Sequence, residues 1–236
     1  MKLFATLKLL AVYLTLGPLV GIVGIPWTLL TKDITWMYWA AMWVTRAGVR
    51  AAGIKVEKRG YENIPAGRAC IFMCNHVSNL DPPVLLPAIP GMTSVFLKRE
   101  LMRIPLLGTA MRMGKFVPVS RGHSRDEAQR SVAAAKEALA SGLHITVFPE
   151  GTRSPDGKLL PFKKGAFFLA AETEAPMVPV VITGTAEMMP KGTLKMRPGT
   201  AIVRFLPVIE PAAFGSREDL MEAVREAMMR GLAARD

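Results

Sequence analysis

The chain has 236 residues, enough for a sizeable core. Half are hydrophobic and only 21% are charged, with a mean hydropathy of +0.27, which excludes a disordered tail protein or a solvated coiled coil. Thirty Lys and Arg against 19 acidic residues leave a formal charge of +11, an attraction for anionic partners such as lipid headgroups, phosphorylated substrates or nucleic acid. Two cysteines, Cys70 and Cys74, exclude a disulfide framework or multi-zinc scaffold and read as buried thiols in a reducing compartment.

At the N-terminus, Leu9 to Thr31 contains 23 residues without a charge, about 35 Å as a helix against a hydrocarbon core of about 30 Å. Length permits a span, while Gly17, Pro18, Gly21, Gly24 and Pro26 equally permit a kinked or re-entrant element. A cleaved signal peptide is disfavoured by the long uncharged run and the lack of an A-x-A site. After Lys32 and Asp33, the segment Ile34 to Val49 holds three of the four tryptophans, Trp36, Trp39 and Trp43, with Tyr38, Arg46 and Arg50 close by. Indoles favour the headgroup boundary, so this reads as an interfacial helix; the alternative is an amphipathic helix packing its aromatic stripe onto the domain.

From Ile54 onward, short apolar runs alternate with amphipathic segments, the punctuation of an α/β fold. Ala69–Cys74, Thr93–Leu97, Phe116–Val119, His144–Phe148, Met177–Thr183 and Ala201–Leu206 read as strands, mostly continuous enough to be buried on both faces. Ser124 with Glu127 forms a capping box for a helix running to Gly142. Ser216 opens another whose Leu220, Ala223, Val224, Ala227 and Met228 share an apolar face. The expectation is a mixed, largely parallel sheet flanked by helices, residues 54–236, behind a membrane-associated helical element, residues 1–53.

Among three histidines, only His76 stands in a constellation, Asn75-His76-Val77-Ser78-Asn79-Leu80-Asp81-Pro82, between a strand and a helix. Five helical steps rotate about 500°, so a turn must separate His76 from Asp81. Pro82 makes Asp81 an N-cap with its side chain directed back over that turn, where it can hold the Nδ1 proton of His76 and leave Nε2 as a general base. The plainer alternative is that Asp81 only caps. His123 and His144 read as structural.

A basic stretch follows, Lys98, Arg99, Arg103, Arg112, Lys115, Arg121 and Arg125, with Glu100 its only acid; Lys98 and Arg121 end apolar runs, whereas Arg103 and Arg112 suit solvated helix positions. Farther on, Phe148-Pro149-Glu150-Gly151-Thr152-Arg153-Ser154 breaks an apolar run with a carboxylate, a glycine and a guanidinium fork suited to phosphate; the plainer alternative is a Glu150–Arg153 ion pair that braces the loop. No nucleophile elbow, P-loop or dinucleotide fingerprint occurs. A zinc site on Cys70, Cys74 and His76 is disfavoured by their core-like surroundings.

Asn75-His76-x4-Asp81, Lys98-x-Glu100-Leu101, Gly114-x-Phe116-Val117 running to Arg121, Phe148 to Ser154, and Val178-Pro179-Val180 together resemble the ordered motifs of glycerolipid acyltransferases, specifically the bacterial 1-acylglycerol-3-phosphate type. The likeness covers about residues 70 to 182, and the interrupted apolar N-terminus is similar to that family's membrane-embedded two-helix element. The second motif departs by being spread out, with Pro118 and Ser120 inside it. The resemblance implies transfer of an acyl chain from acyl-CoA or acyl carrier protein to the 2-hydroxyl of lysophosphatidic acid, with no cofactor beyond that thioester co-substrate and no acyl-enzyme. It implies His76 as base and Asp81 as its orienter, with Lys98, Arg121 and Arg153 on the acceptor phosphate and Glu150, Gly151 and Thr152 at the acceptor site. Under the positive-inside rule, Lys32, Arg46, Arg50 and the basic body suggest a protein of the cytoplasmic (inner) membrane with its catalytic domain on the cytosolic face, though Lys2 and Lys8 weaken the asymmetry. Competing expectations are acylation of another lyso-lipid or of glycerol-3-phosphate, or a noncatalytic phospholipid-binding protein. Nucleic acid is disfavoured because the aromatics do not interleave with the basic residues.

Overall fold

In the computed structural model, residues 2–119 and 125–234 are described. Helix α1 (Lys2–Thr31) runs unbroken through Pro18 and Pro26, so the prolines that permit a re-entrant element sit inside one 30-residue helix. It packs along α2 (Thr35–Ala51) where glycines let the axes approach: a Cβ at Gly24 would come within 2.6 Å of Met37 Cγ, and one at Gly48 would collide with the Tyr13 ring. Ala5 and Leu9 of α1 join the domain core, while its opposite face is apolar but uncovered, with Leu14, Leu19, Ile22, Val23, Trp27 and Leu30 all more than half exposed. Helix α2 turns Met37, Tyr38, Met42 and Val49 inward and Trp36, Trp39 and Trp43 outward. The indole stripe therefore does not pack on the domain.

Seven strands follow: β1 (Ile54–Arg59), β2 (Ile71–Cys74), β3 (Thr93–Lys98), β4 (Val117–Val119), β5 (His144–Val147), β6 (Met177–Thr183) and β7 (Gly199–Phe205). They form one sheet in the order β1-β7-β6-β2-β5-β3-β4. Every pair is parallel except β6–β7, so the sheet is mixed and largely parallel, as the sequence predicts. Strand β1 is an addition to that reading. Its sequence IKVEKR buries only Ile54 fully, because an edge strand needs the β7 ladder rather than a continuous apolar run.

The period-two alternation divides the core. Phe72, Cys74, Val178, Val180 and Ile182 face α1, α2 and α3 (Asp81–Leu85), together with Met188 of α7 (Thr185–Met188). Ile71, Met73, Met177, Val181 and Ile145 face α5 (Arg125–Ala140), α6 (Gly165–Thr173) and α8 (Arg217–Ala233). The short helix α4 (Leu107–Met113) leans on α1, with Leu106 against Gly21. Helix α8 begins as its sequence predicts: Ser216 Oγ accepts the Asp219 amide at 3.1 Å, and Leu220, Val224 and Met228 are buried. For α5, Ser124 of the expected capping box lies outside the described residues.

Candidate active site

Because β2, β3, β5 and β6 run parallel, their carboxyl ends share one edge, and the loops leaving them meet there. The loop after β2 is folded around one carboxylate. Asp81 is fully buried, and its Oδ2 lies 2.8 Å from His76 Nδ1 while accepting the amides of Val77 at 2.7 Å and Ser78 at 2.8 Å. Its Oδ1 accepts the Thr185 hydroxyl at 2.7 Å. The side chain does reach back over the turn, yet Asp81 is not the N-cap: it is the first residue of α3, whose preceding residue Leu80 is already helical. Its oxygens serve the loop amides and the imidazole instead of the amides of its own helix, whose Pro82 and Pro83 have none to offer.

A carboxylate accepting at Nδ1 selects the neutral tautomer protonated there, the one that leaves the lone pair on Nε2. The ring stacks on Phe148 at a centroid distance of 4.3 Å, and its side chain is 19% exposed. Among the described residues no protein group bonds Nε2. The imidazole is thus oriented by the carboxylate and walled on one face by an aromatic ring.

The loop after β5 grips the backbone of His76 from both directions. The His76 amide donates to Glu150 Oε1 at 2.8 Å, and the His76 carbonyl accepts the Ser154 amide at 2.7 Å. Glu150 Oε2 takes the Leu160 amide at 2.9 Å, so its carboxylate serves the loop backbone, and the ion pair with Arg153 that the motif permits does not form. Burial pushes the Glu150 carboxyl above its ordinary range, opposed by these two amides. Gly151 adopts φ +67°, a left-handed conformation that a side chain would strain, and closes the turn through its amide to the Phe148 carbonyl at 3.0 Å.

Thr152 is exposed on this turn and Arg153 half-buried beside it. Lys98 is exposed at the end of β3. Among the described residues neither the Arg153 nor the Lys98 side chain is paired with a carboxylate, which leaves both cations available to an anion. Arg121 and His123 lie outside the described residues. Elsewhere in the basic stretch, Arg99 pairs with Glu127 at 3.1 Å, Lys115 with Glu137 at 3.2 Å, and Arg112 donates to the Met102 carbonyl. His144 accepts the Cys70 amide at Nδ1, 3.0 Å away, and is structural.

Several site contacts carry no local sequence signal. The Asn75 amide bonds both the N–H and the carbonyl of Ile182, at 2.7 and 3.0 Å. Ser78 Oγ donates to the Met189 carbonyl at 2.7 Å, and the Lys191 ammonium reaches the Arg153 carbonyl at 2.7 Å. Each spans more than 30 positions of sequence, and only the fold brings the partners together.

At the carboxyl edge of the parallel sheet the structure holds an imidazole oriented by a buried carboxylate, and Lys98 and Arg153 carry no carboxylate partner among the described residues. Comparison with known proteins makes the class specific. The chain belongs to the acyltransferase family, whose family model, described as Acyltransferase, matches residues 55–183. It is similar to a 1-acyl-sn-glycerol-3-phosphate acyltransferase of Limnanthes alba, 32% identical over 184 residues, covering 77% of this chain and 65% of that protein. The human 1-acyl-sn-glycerol-3-phosphate acyltransferase alpha is 32% identical over 180 residues, covering 75% and 63%. The chloroplastic BAT2 enzyme of Brassica napus is 37% identical over 170 residues, covering 71% and 47%. The chain therefore spans from about half to just under two thirds of the length of these relatives. A solved structure, the 1-acyl-sn-glycerophosphate (LPA) acyltransferase PlsC of Thermotoga maritima, superposes with a TM-score of 0.80 at 30% identity, covering 98% of this chain and 95% of that one.

Proposed function

We propose that this protein transfers a fatty acyl chain from acyl-CoA or acyl carrier protein to the sn-2 hydroxyl of 1-acylglycerol-3-phosphate, giving phosphatidic acid. The observation that carries the reading is the 2.8 Å contact between His76 Nδ1 and Asp81 Oδ2 on an imidazole whose other nitrogen is free. Nε2 removes the hydroxyl proton as the acceptor oxygen attacks the thioester carbonyl carbon. The tetrahedral intermediate collapses with C–S cleavage, and the imidazolium returns the proton to the departing thiolate, so the carrier leaves as free thiol. Direct attack requires no acyl-enzyme and no cofactor beyond the thioester. Lys98, Arg153 and Arg121 bind the acceptor phosphate, Gly151 and Thr152 border its glycerol, and Glu150 holds the His76 backbone in place.

Residues 1–53 attach residues 54–236 to a phospholipid bilayer. The uncovered apolar side chains of α1 support this, since water would disfavour them by about 25 cal/mol for each Å², as does the outward indole stripe of α2. Lys32, Arg46 and Arg50 favour the cytosolic face of the cytoplasmic membrane. With purified protein in vesicles, free thiol should appear from acyl-CoA only when acceptor is added, with phosphatidic acid identified by mass. Thiol release indifferent to acceptor, or best supported by a phosphate-free lyso-lipid, would refute the reading.

A further inference from the structure

The geometry points to Thr185 as a positioning residue for the His76–Asp81 pair, its hydroxyl fixing the orientation and charge of the Asp81 carboxylate. This rests on the reading of His76 as the general base. Thr185 lies beyond the last motif of the resemblance, 104 residues from Asp81, and is completely buried. A buried hydroxyl must find a partner, and this one sits on the first residue of α7, whose cap position is Gly184. Gly184 precedes it at φ +86°, and a Cβ there would collide with the Thr200 carbonyl, so the chain turns abruptly into Thr185. The hydroxyl is directed away from α7 to Asp81 Oδ1 at 2.7 Å.

That contact completes a division of labour on the carboxylate. Oδ2 takes the imidazole and two loop amides, and Oδ1 is held, among the described residues, by Thr185 alone. Without the hydroxyl, Oδ1 would be a bare anionic atom on a fully buried side chain, and the carboxylate would be held through Oδ2 alone. Two neighbouring contacts, Asn75 to Ile182 and Ser78 to Met189, fix the same strand-to-helix segment to the same loop. Thr185 is therefore held at the carboxylate from both sides.

The charge consequence has a definite sign. Removing one of four donors leaves more of the Asp81 charge to be balanced by His76, which favours the imidazolium. The acid limb of the kcat/KM profile, where the base is lost to protonation, then moves to higher pH. The other titratable groups near the pair are Glu150 from the loop after β5 and the Cys74 thiol from β2, which burial holds far above its ordinary range. On the segment carrying Thr185, Glu187 is exposed.

The test uses the full chain in vesicles with acyl-CoA and lysophosphatidic acid. Thr185→Ser and Thr185→Ala both lose the methyl group and differ by one hydroxyl; Thr185→Val keeps the volume. Ala and Val should lower kcat roughly tenfold and raise the acid limb, with KM for the acceptor little changed. Ser should restore both kcat and the wild-type limb. A merely structural role would move melting temperature without separating Ser from Ala in the pH profile, and that result would overturn the proposal. His76→Ala is measured alongside. If it keeps wild-type turnover, the base itself is wrong; if it is inactive while Thr185→Ala matches wild type in kcat and profile, only the role of Thr185 falls.

Discussion

The backbone amide of His76 donates to Oε1 of Glu150 at 2.8 Å across 74 positions of sequence. The most conspicuous acid of the Phe148–Ser154 motif is thus tied to the peptide of the histidine, its other oxygen taking the Leu160 amide. Glu150→Ala strands two amides, at about 1–3 kcal/mol each where they stay buried, and should lower both melting temperature and turnover. Glu150→Gln keeps one acceptor and the shape, so its loss in both should be intermediate. A Gln variant as inactive as His76→Ala but with unchanged melting would mean that the carboxylate itself takes part in the reaction.

His76→Ala should reduce acyl transfer by about 10²- to 10⁴-fold with little change in melting, because the ring is stacked at the edge of the site and not within the core. Asp81→Asn should cost both activity and stability, since its amide group must face at least one of four donors. Comparable thermal damage from both variants would argue that the histidine is a packing residue.

The asymmetry between those residues shows what the sequence made legible. Strands β2 and β6 stand out because they are buried along nearly their whole length, and the His76–Asp81 pair because a proline fixes where the turn must end. Strand β1 is hidden because four of its six residues are charged and its pairing partner β7 begins 140 residues later. Thr185, Ser78 and Asn75 are hidden for a related reason: a polar residue satisfied by a distant backbone looks, locally, like any loop residue. The N-cap assignment of Asp81 fails because local propensity names the nearest orphan amides, whereas the folded loop offers better-placed ones.

Arg153 and Lys98 carry charges that no carboxylate among the described residues neutralises. Arg153→Ala should raise KM for lysophosphatidic acid by about tenfold or more, in line with losing a charge-assisted pair, while changing KM for a phosphate-free lyso-acceptor little. Lys98→Ala should act in the same direction. Equal losses on both acceptors would place these cations away from the phosphate.

All four tryptophans lie in α1 and α2, and Trp27, Trp36, Trp39 and Trp43 are 52%, 47%, 39% and 59% exposed. Tryptophan fluorescence, excited selectively, therefore reports the N-terminal helices alone. Transfer of the protein from detergent to vesicles containing brominated acyl chains should quench it, and replacing Trp36, Trp39 and Trp43 together with Ser should remove most of the quenchable signal. Emission indifferent to brominated lipid would leave α2 outside the bilayer.

His144 supplies a pH dependence that is separate from the site. Its Nδ1 accepts the Cys70 amide at 3.0 Å and its ring packs edge-on against Phe72 at 5.2 Å. Burial pulls its pKa below the ordinary histidine value, opposed by a hydrogen bond to the Pro90 carbonyl. The folded chain therefore binds fewer protons here than the unfolded chain, and stability rises with pH through this window. The contribution is complete above the unfolded value near 6.5 and is lost as pH falls from there toward the lowered folded value. Glu150, with its raised pKa, has the opposite slope at more acidic pH, but a His144→Asn variant shares that term, so the difference between the two proteins isolates the imidazole. The melting-temperature advantage of wild type over His144→Asn should be largest near pH 7.5 and shrink steadily toward pH 5.5. An advantage that stays constant on acidification would mean that folding leaves the His144 pKa unchanged, and one that grows would mean that His144 is protonated in the folded chain and cannot accept the Cys70 amide; either result refutes the prediction.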